Sequence, residues 1–370
     1  MLKATSEILK QKGITCPTVV LDKGRAQNNI RRMAAKARRA GAIFRPHFKT
    51  HQSPVVGRWF HDAGVRHIAV SSLGMAEKFA DLGWRDITLA LLFNPLELPR
   101  AARLAQYLEQ RSGRLGLLVD SPYTAAIIAG GIDSPTDIWL KVDTGYGRTG
   151  LQWDDTEKMS ATLAACRELA VPAGLLTHSG HSYQARGSEA IRHIYEETIT
   201  RLTAARDQSG HAGLHLSVGD TPCCSVVDDL SSCDEIRPGN FVFNDLMQLE
   251  IGSCAAENLA SATVCPVVGV YPDRRQIVLH GGAVHLSKES LAGPIYGCLG
   301  TVTESGLGEV LPQAPLGSLS QEHGVVELPA ENFAALAGDL KPGDLVLVWP
   351  VHSCLNCDLM REQMAVPTTF

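Results

Sequence analysis

Between about residue 25 and residue 250, eight short apolar runs alternate with longer amphipathic stretches, and this alternation limits the possible folds more than any other feature of the chain. The runs fall at 42–49, 67–72, 87–93, 115–120, 138–143, 173–178, 214–219 and 235–239. Stretches such as 26–40, 73–82, 98–111, 155–169 and 188–209 carry apolar residues at helical spacing. Parallel strands need a long crossover between them, usually a helix. Eight strands separated by helices therefore predict an α/β fold, a (β/α)8 TIM barrel rather than an open doubly wound sheet. No Gly-x-Gly-x-x-Gly follows an early run, which argues against a dinucleotide-binding sheet.

After residue 250 the pattern changes. Strand-like segments at 262–270, 275–280, 324–328 and 344–349 are punctuated by Gly and Pro, and 15–21 has the same character. The expected organisation is a barrel over 25–250 and a β domain built from 1–24 and 251–370. With 370 residues, 45% of them apolar, the chain can bury a large core. A net charge of -5 without basic blocks argues against nucleic acid as a partner. No run approaches the roughly 18 apolar residues of a membrane span, and the first residues lack the apolar stretch of a secretory signal. A cytoplasmic protein is expected. The ten cysteines are dispersed, as suits reduced thiols packed as small apolar groups, the adjacent Cys223 and Cys224 among them.

Barrel active sites form at the C-terminal ends of the strands, often with a phosphate site after strands seven and eight. Phe44-Arg45-Pro46-His47-Phe48-Lys49-Thr50-His51 ends the first run with a lysine among an arginine and histidines. A held lysine in such a place suits Schiff-base chemistry; a surface lysine beside a turn is the other reading of this segment by itself. Arg148 follows the fifth run, His178 ends the sixth with Tyr183 beyond it, Gly219-Asp220-Thr221 ends the seventh, and Arg237-Pro238-Gly239-Asn240 ends the eighth. Glycines and a hydroxyl in the last two loops can present donors to a phosphate. A phosphate site facing a lysine across a barrel mouth outlines pyridoxal phosphate.

Three motifs carry a resemblance: Arg-Pro-His-x-Lys-Thr-His, Leu-Lys-Val-Asp-Thr-Gly-x-Gly-Arg-x-Gly, and Arg-Pro-Gly-Asn with Asp245. The chain resembles the fold-type III, alanine-racemase-like pyridoxal-phosphate enzymes, within them the D-serine dehydratase and D-threonine aldolase group, from about residue 17 to about residue 359. The resemblance implies that Lys49 holds the cofactor, with His47 beside it and Arg148 near its phenolic oxygen. It further implies Thr221, Gly239 and Asn240 at the phosphate, His178 and Tyr183 on the substrate side, and Arg237 near the pyridine nitrogen. It implies a homodimer acting on a small D-amino acid.

Near the C-terminus, His352-Ser353-Cys354 puts two metal-binding side chains two residues apart, so that in an extended segment they point to one side. Imidazole plus thiolate suits zinc, and two protein ligands suit a catalytic ion with open positions. An edge-strand histidine beside core cysteines, or a Cys354-x-x-Cys357 redox pair, fits the same letters. Within the resembled group, His-x-Cys goes with the dehydratases and zinc, whereas His-x-Asp goes with the aldolases and harder ions such as Mn2+.

The expected reaction is zinc- and pyridoxal-phosphate-dependent removal of water from a D-β-hydroxy amino acid (D-serine, D-threonine or D-3-hydroxyaspartate), giving a 2-oxo acid and ammonia. An aldolase yielding glycine and an aldehyde, with His178, His181 or His47 as base, is the alternative; a racemase or a non-catalytic cofactor carrier is less favoured. His280 stands where the family more often has an aspartate, and with His285 it can add metal or substrate contacts or be structural. His323, in a turn shared with the group, either approaches the site or serves the turn. His61, His193 and His211 read as solvated, and Glu77 as an ordinary helix charge.

Overall fold

The computed structural model describes residues 1–370, which divide into two compact units. One comprises residues 31–49 and 60–239, the other 1–30, 50–59 and 240–370.

The first unit is a parallel barrel. Its eight strands are Ile43–Phe44, His67–Val70, Asp86–Leu92, Arg114–Val119, Thr136–Asp143, Ala170–Leu176, His215–Val218 and Glu235–Ile236. Each pairs in parallel with the next, and the eighth pairs back onto the first through Glu235↔Ile43 and Ile236↔Phe44. Between the first and second strands the contact narrows to a single bridge, His47↔Ala69. A further short strand, Leu151–Gln152, pairs with Val142–Asp143. Trp139 packs with Leu118 and Leu176. A Cβ on Gly174 would lie 2.7 Å from its ring, so only glycine on the neighbouring strand admits the indole.

The first run proves shorter than the expected 42–49. After Phe44 the chain keeps two ladder bonds, Arg45 N–H to Ile236 O and His47 N–H to Pro238 O. Pro46 has no N–H to give, and residues Phe48–Thr50 turn into a 3-10 helix. Lys49 therefore stands on a helical turn after the strand. Phe48 on that turn is fully buried against Phe60, Phe79 and Trp84, at centroid distances of 5.1, 4.9 and 5.0 Å. Lys49 faces the other way and is exposed. A buried ring next to an exposed lysine fixes the turn that carries the amine.

The second unit is built on an antiparallel sheet. Strands Ser261–Tyr271, Gln276–His280, His323–Glu327, Gly306–Leu319, Gly297–Thr303 and Leu345–Pro350 pair in that order, and the last pairs back onto the first, closing a ring. Thr18–Leu21 joins it antiparallel to Ser261–Tyr271, with Thr368–Thr369 outside it. Two apolar clusters fill this unit, one around Leu279, Val326 and Phe333, the other around Leu9, Val20 and Trp349. All ten cysteines are free thiols, Cys354 and Cys357 included, and no helix is long and apolar enough to cross a membrane.

Candidate active site

In the barrel unit the loop after the fifth strand is organised by Asp143. Its carboxylate accepts the backbone N–H groups of Gly145, Tyr146 and Gly147, each at 2.9 Å. Gly145 and Gly147 adopt φ of 126° and 75°, a region that favours glycine. This wrapped turn delivers Tyr146 and Arg148, whose guanidinium lies 5.1 Å from the Tyr146 ring. Tyr146 in turn meets His178 edge to face at 5.7 Å and rests on Gly180, where a Cβ would lie 2.4 Å from the ring.

His178 is the centre of this group. Its Nδ1 lies 2.5 Å from the carbonyl oxygen of Gly219. A carbonyl only accepts, so Nδ1 carries the proton and a neutral ring leaves a lone pair on Nε2. Burial is the main cause that lowers the His178 pKa to about 3, with the charges of Lys49, Arg148 and Arg237 acting in the same direction and the Gly219 bond opposing them. Three of the expected cofactor residues thus act on one neutral imidazole. Lys141, buried on the fifth strand with Nζ 2.9 Å from Val142 O, is lowered to about 7 by burial and by Arg237 and Arg148.

Arg237 is buried and donates to Ser217 Oγ (2.7 Å), Ser217 O (3.1 Å) and Thr177 O. A Cβ on Gly219 would lie 2.9 Å from its Nη1, so that glycine makes room for the guanidinium. Thr221 is fully buried at the start of helix Thr221–Val226, capped by Asp220, which accepts from Cys223 N (2.7 Å) and from Ser182 Oγ (2.9 Å). The N–H of Thr221 donates to the Tyr183 hydroxyl at 3.4 Å, and Tyr183 lies 6.4 Å from His178, ring to ring. His47 is half-buried, its Nδ1 accepting from Lys49 N at 3.3 Å. Gly239 follows the eighth strand and is half-buried.

The β-rich unit holds the other candidates. The expected extended segment around His352 and Cys354 is not observed. The strand Leu345–Pro350 stops, His352 caps helix Ser353–Leu359, and Cys354 sits in its first turn. Proline at 350 has no N–H for the ladder, and beyond it Asp245 accepts the first N–H of the helix. Its Oδ2 accepts from Ser353 N (2.9 Å), Ser353 Oγ (3.2 Å) and Asn240 Nδ2 (2.5 Å). The helix start, rather than strand alternation, brings imidazole and thiol together.

His352 Nδ1 meets Glu289 Oε2 at 2.5 Å, which directs Nε2 towards a ligand. Burial opposes a charged imidazole here, yet Cys354, Glu289 and Asp245 outweigh it and push the His352 pKa up to about 11. Cys354 Sγ lies 3.2 Å from Thr50 Oγ1 and 3.5 Å from Asn240 Nδ2. Asn240, expected at the phosphate, thus gives its N–H groups to Asp245, Ser353 and Cys354, while its buried Oδ1 has no hydrogen-bond partner. Glu289 has no local sequence signal, and the motif that includes Asp245 gives no sign of its bond to Ser353. Glu289 lies 63 residues from its histidine and Asp245 lies 108 from Ser353.

Comparison with known proteins agrees with this architecture. The alanine racemase N-terminal domain family matches residues 21–246, and a putative serine dehydratase domain family matches 260–366. The chain belongs to this two-domain family. It is 32% identical to the D-threo-3-hydroxyaspartate dehydratase of Delftia sp. over 91% of this chain and 90% of that one. Against the D-serine dehydratase of Dictyostelium discoideum, identity is 26% over 94% and 92% of the two chains. The solved Delftia enzyme superimposes with a TM-score of 0.85 at 30% identity, covering 94% of this chain and 93% of that one. A cysteine-to-alanine variant of that enzyme, described as its metal-free form, gives 0.84. D-threonine aldolase from Filomicrobium marinum shares the fold at 18% identity, with a TM-score of 0.78.

Proposed function

We propose that this protein is a pyridoxal-phosphate- and zinc-dependent lyase that removes water from a D-β-hydroxy amino acid, D-serine or D-3-hydroxyaspartate in the first instance, releasing a 2-oxo acid and ammonia. The observation that carries the reading is the tautomer-fixed His178, its Nδ1 2.5 Å from Gly219 O and its ring beside Tyr146 and Tyr183, in the barrel unit that also carries Lys49, Arg148 and Arg237 after its strands. Relatives that share both domains and are named dehydratases support the choice of reaction.

In this reading Lys49 binds the cofactor covalently and moves the substrate's α-proton. Arg148 and Arg237 balance the cofactor's anionic groups, and Thr221, Gly239 and Asn240 take its phosphate, Asn240 through its main-chain N–H because its amide is engaged by Asp245, Ser353 and Cys354. His47, His178 and Tyr183 border the cofactor and orient the substrate. Bound pyridoxal phosphate supplies an electron sink for charge left at the α-carbon. His352 and Cys354 hold the divalent ion, whose Lewis acidity assists departure of hydroxide, and Glu289 fixes the His352 ring. A homodimer, which sedimentation tests, completes the reading.

The test is product analysis of the cofactor-loaded protein with D-serine, D-threonine and D-3-hydroxyaspartate, with and without a chelator. Chelator-sensitive 2-oxo acid and ammonia are expected. Glycine and an aldehyde would overturn the dehydratase reading in favour of an aldolase. Lys49→Ala is expected to abolish the visible absorbance of lysine-bound cofactor at about 410–430 nm, and retention of that band would remove the central assignment.

A further inference from the structure

Besides His352 and Cys354, the β-rich unit gathers a second set of ligand-type side chains. His280 ends strand Gln276–His280, His285 lies on the short helix Ala283–Leu286, and Glu322 stands in the turn before strand His323–Glu327. One donor atom from each lies within 4.8 Å of the others. The two imidazoles are half-buried and meet edge to face at 5.5 Å, while Glu322 is exposed. The neighbouring His323 is exposed, and it is Glu322 that joins the histidine pair.

The backbone beneath these groups is clamped. Gly281 N–H donates to Glu322 O (2.9 Å), Ala283 N–H to Ser320 O (2.8 Å) and Val284 N–H to Gln321 O (3.2 Å). A Cβ on Gly282 would lie 2.3 Å from Gln321 O, so a glycine is needed for the two segments to come this close. Asn356 Nδ2 donates to His285 O at 2.7 Å and fixes the helix from its other side. The donors themselves are only lightly engaged. Gly282 N–H reaches His285 Nδ1 at 3.3 Å, and Gln321 Nε2 reaches Glu322 Oε1 at 3.3 Å. Ligation through His285 Nε2 would move the ring proton to Nδ1 and give up only that long contact.

Two imidazoles and one carboxylate form the ligand set of many zinc sites that keep a fourth position open. Tetrahedral ligands at about 2.1 Å from zinc stand roughly 3.4 Å from one another, so atoms within 4.8 Å of one another need to close by little more than an ångström to reach coordination distance. We propose that His280, His285 and Glu322 form a second divalent-metal site, for an ion of the zinc, cobalt or nickel class, with water completing the coordination. The ion would cross-link the 280–285 segment to the 320–322 turn. The site shares no ligand with the His352–Cys354 pair.

Cobalt(II) titration of the full-length, cofactor-loaded protein tests this, because a thiolate ligand gives a near-ultraviolet charge-transfer band and a His2Glu site does not. Cys354→Ser protein is expected to lose the charge-transfer band yet bind cobalt with visible d–d absorption. Adding His285→Ala should abolish that binding, and adding Glu322→Gln, a change at an exposed side chain, should weaken it about 10-fold or more. The proposal is overturned if Cys354→Ser protein binds no cobalt, or if binding survives both second substitutions unchanged. Failure of the His352–Cys354 assignment would show separately, as absence of the charge-transfer band in the unsubstituted protein.

Discussion

Glu289 illustrates how one residue outside a motif sets the chemistry of a residue inside it. Its carboxylate fixes His352 through Nδ1, and outer-shell partners of this kind commonly change metal affinity by about 10–100-fold. Glu289→Gln is expected to weaken zinc binding by about that factor, measured by competition with a chromophoric chelator, while leaving the barrel's cofactor absorbance intact. In the proposed site zinc would have to displace the proton that Cys354, Glu289 and Asp245 favour on His352. Zinc affinity should therefore rise with pH through the neutral range, and a flat profile would count against His352 as a ligand.

Among the elements, the turn Phe48–Thr50 combines stability with site geometry. Phe48 is fully buried among three aromatic rings, and truncation of such a side chain costs about 3–5 kcal/mol. Phe48→Ala should lower the denaturation midpoint and also weaken cofactor retention, because the same turn carries Lys49. Loss of stability with unchanged cofactor affinity would show that Lys49 is positioned by something else. The start of helix Ser353–Leu359 follows the same logic, with Asp245 fixing the turn that presents Cys354.

For the molecule as a whole, a charge cluster ties the N-terminal helix Leu2–Lys10 to the strand Leu345–Pro350. Asp344, its side chain fully buried, accepts from Lys3 (2.8 Å) and Lys10 (2.6 Å). Burial alone would raise its pKa, but these lysines and the Lys341 N–H hold it well below the usual carboxylate range. A depressed folded-state value means that the stabilisation is present above the unfolded pKa of about 3.9 and is lost as pH falls towards the folded value. Asp344→Asn should cost about 1–3 kcal/mol at pH 7. The gap from the unsubstituted protein should shrink below about pH 4, and a gap independent of pH would exclude the charge as its cause.

Local patterning in the sequence is enough for the eight-stranded parallel barrel and for the β character of the C-terminal segment. Strand and helix periodicity, proline stops and motif glycines act within a few residues, so they can be read from a linear string. Lys49, Arg148, His178 and Arg237 are readable as candidates for that reason, each lying in the segment that follows a strand. What only the tertiary structure decided is which distant groups meet: Glu289 on His352, Asp245 under Ser353, and Glu322 with His280 and His285. Those meetings depend on strand register and on main-chain clamps between segments tens of residues apart. No local pattern encodes them, because the free energy that selects them comes from packing the whole unit.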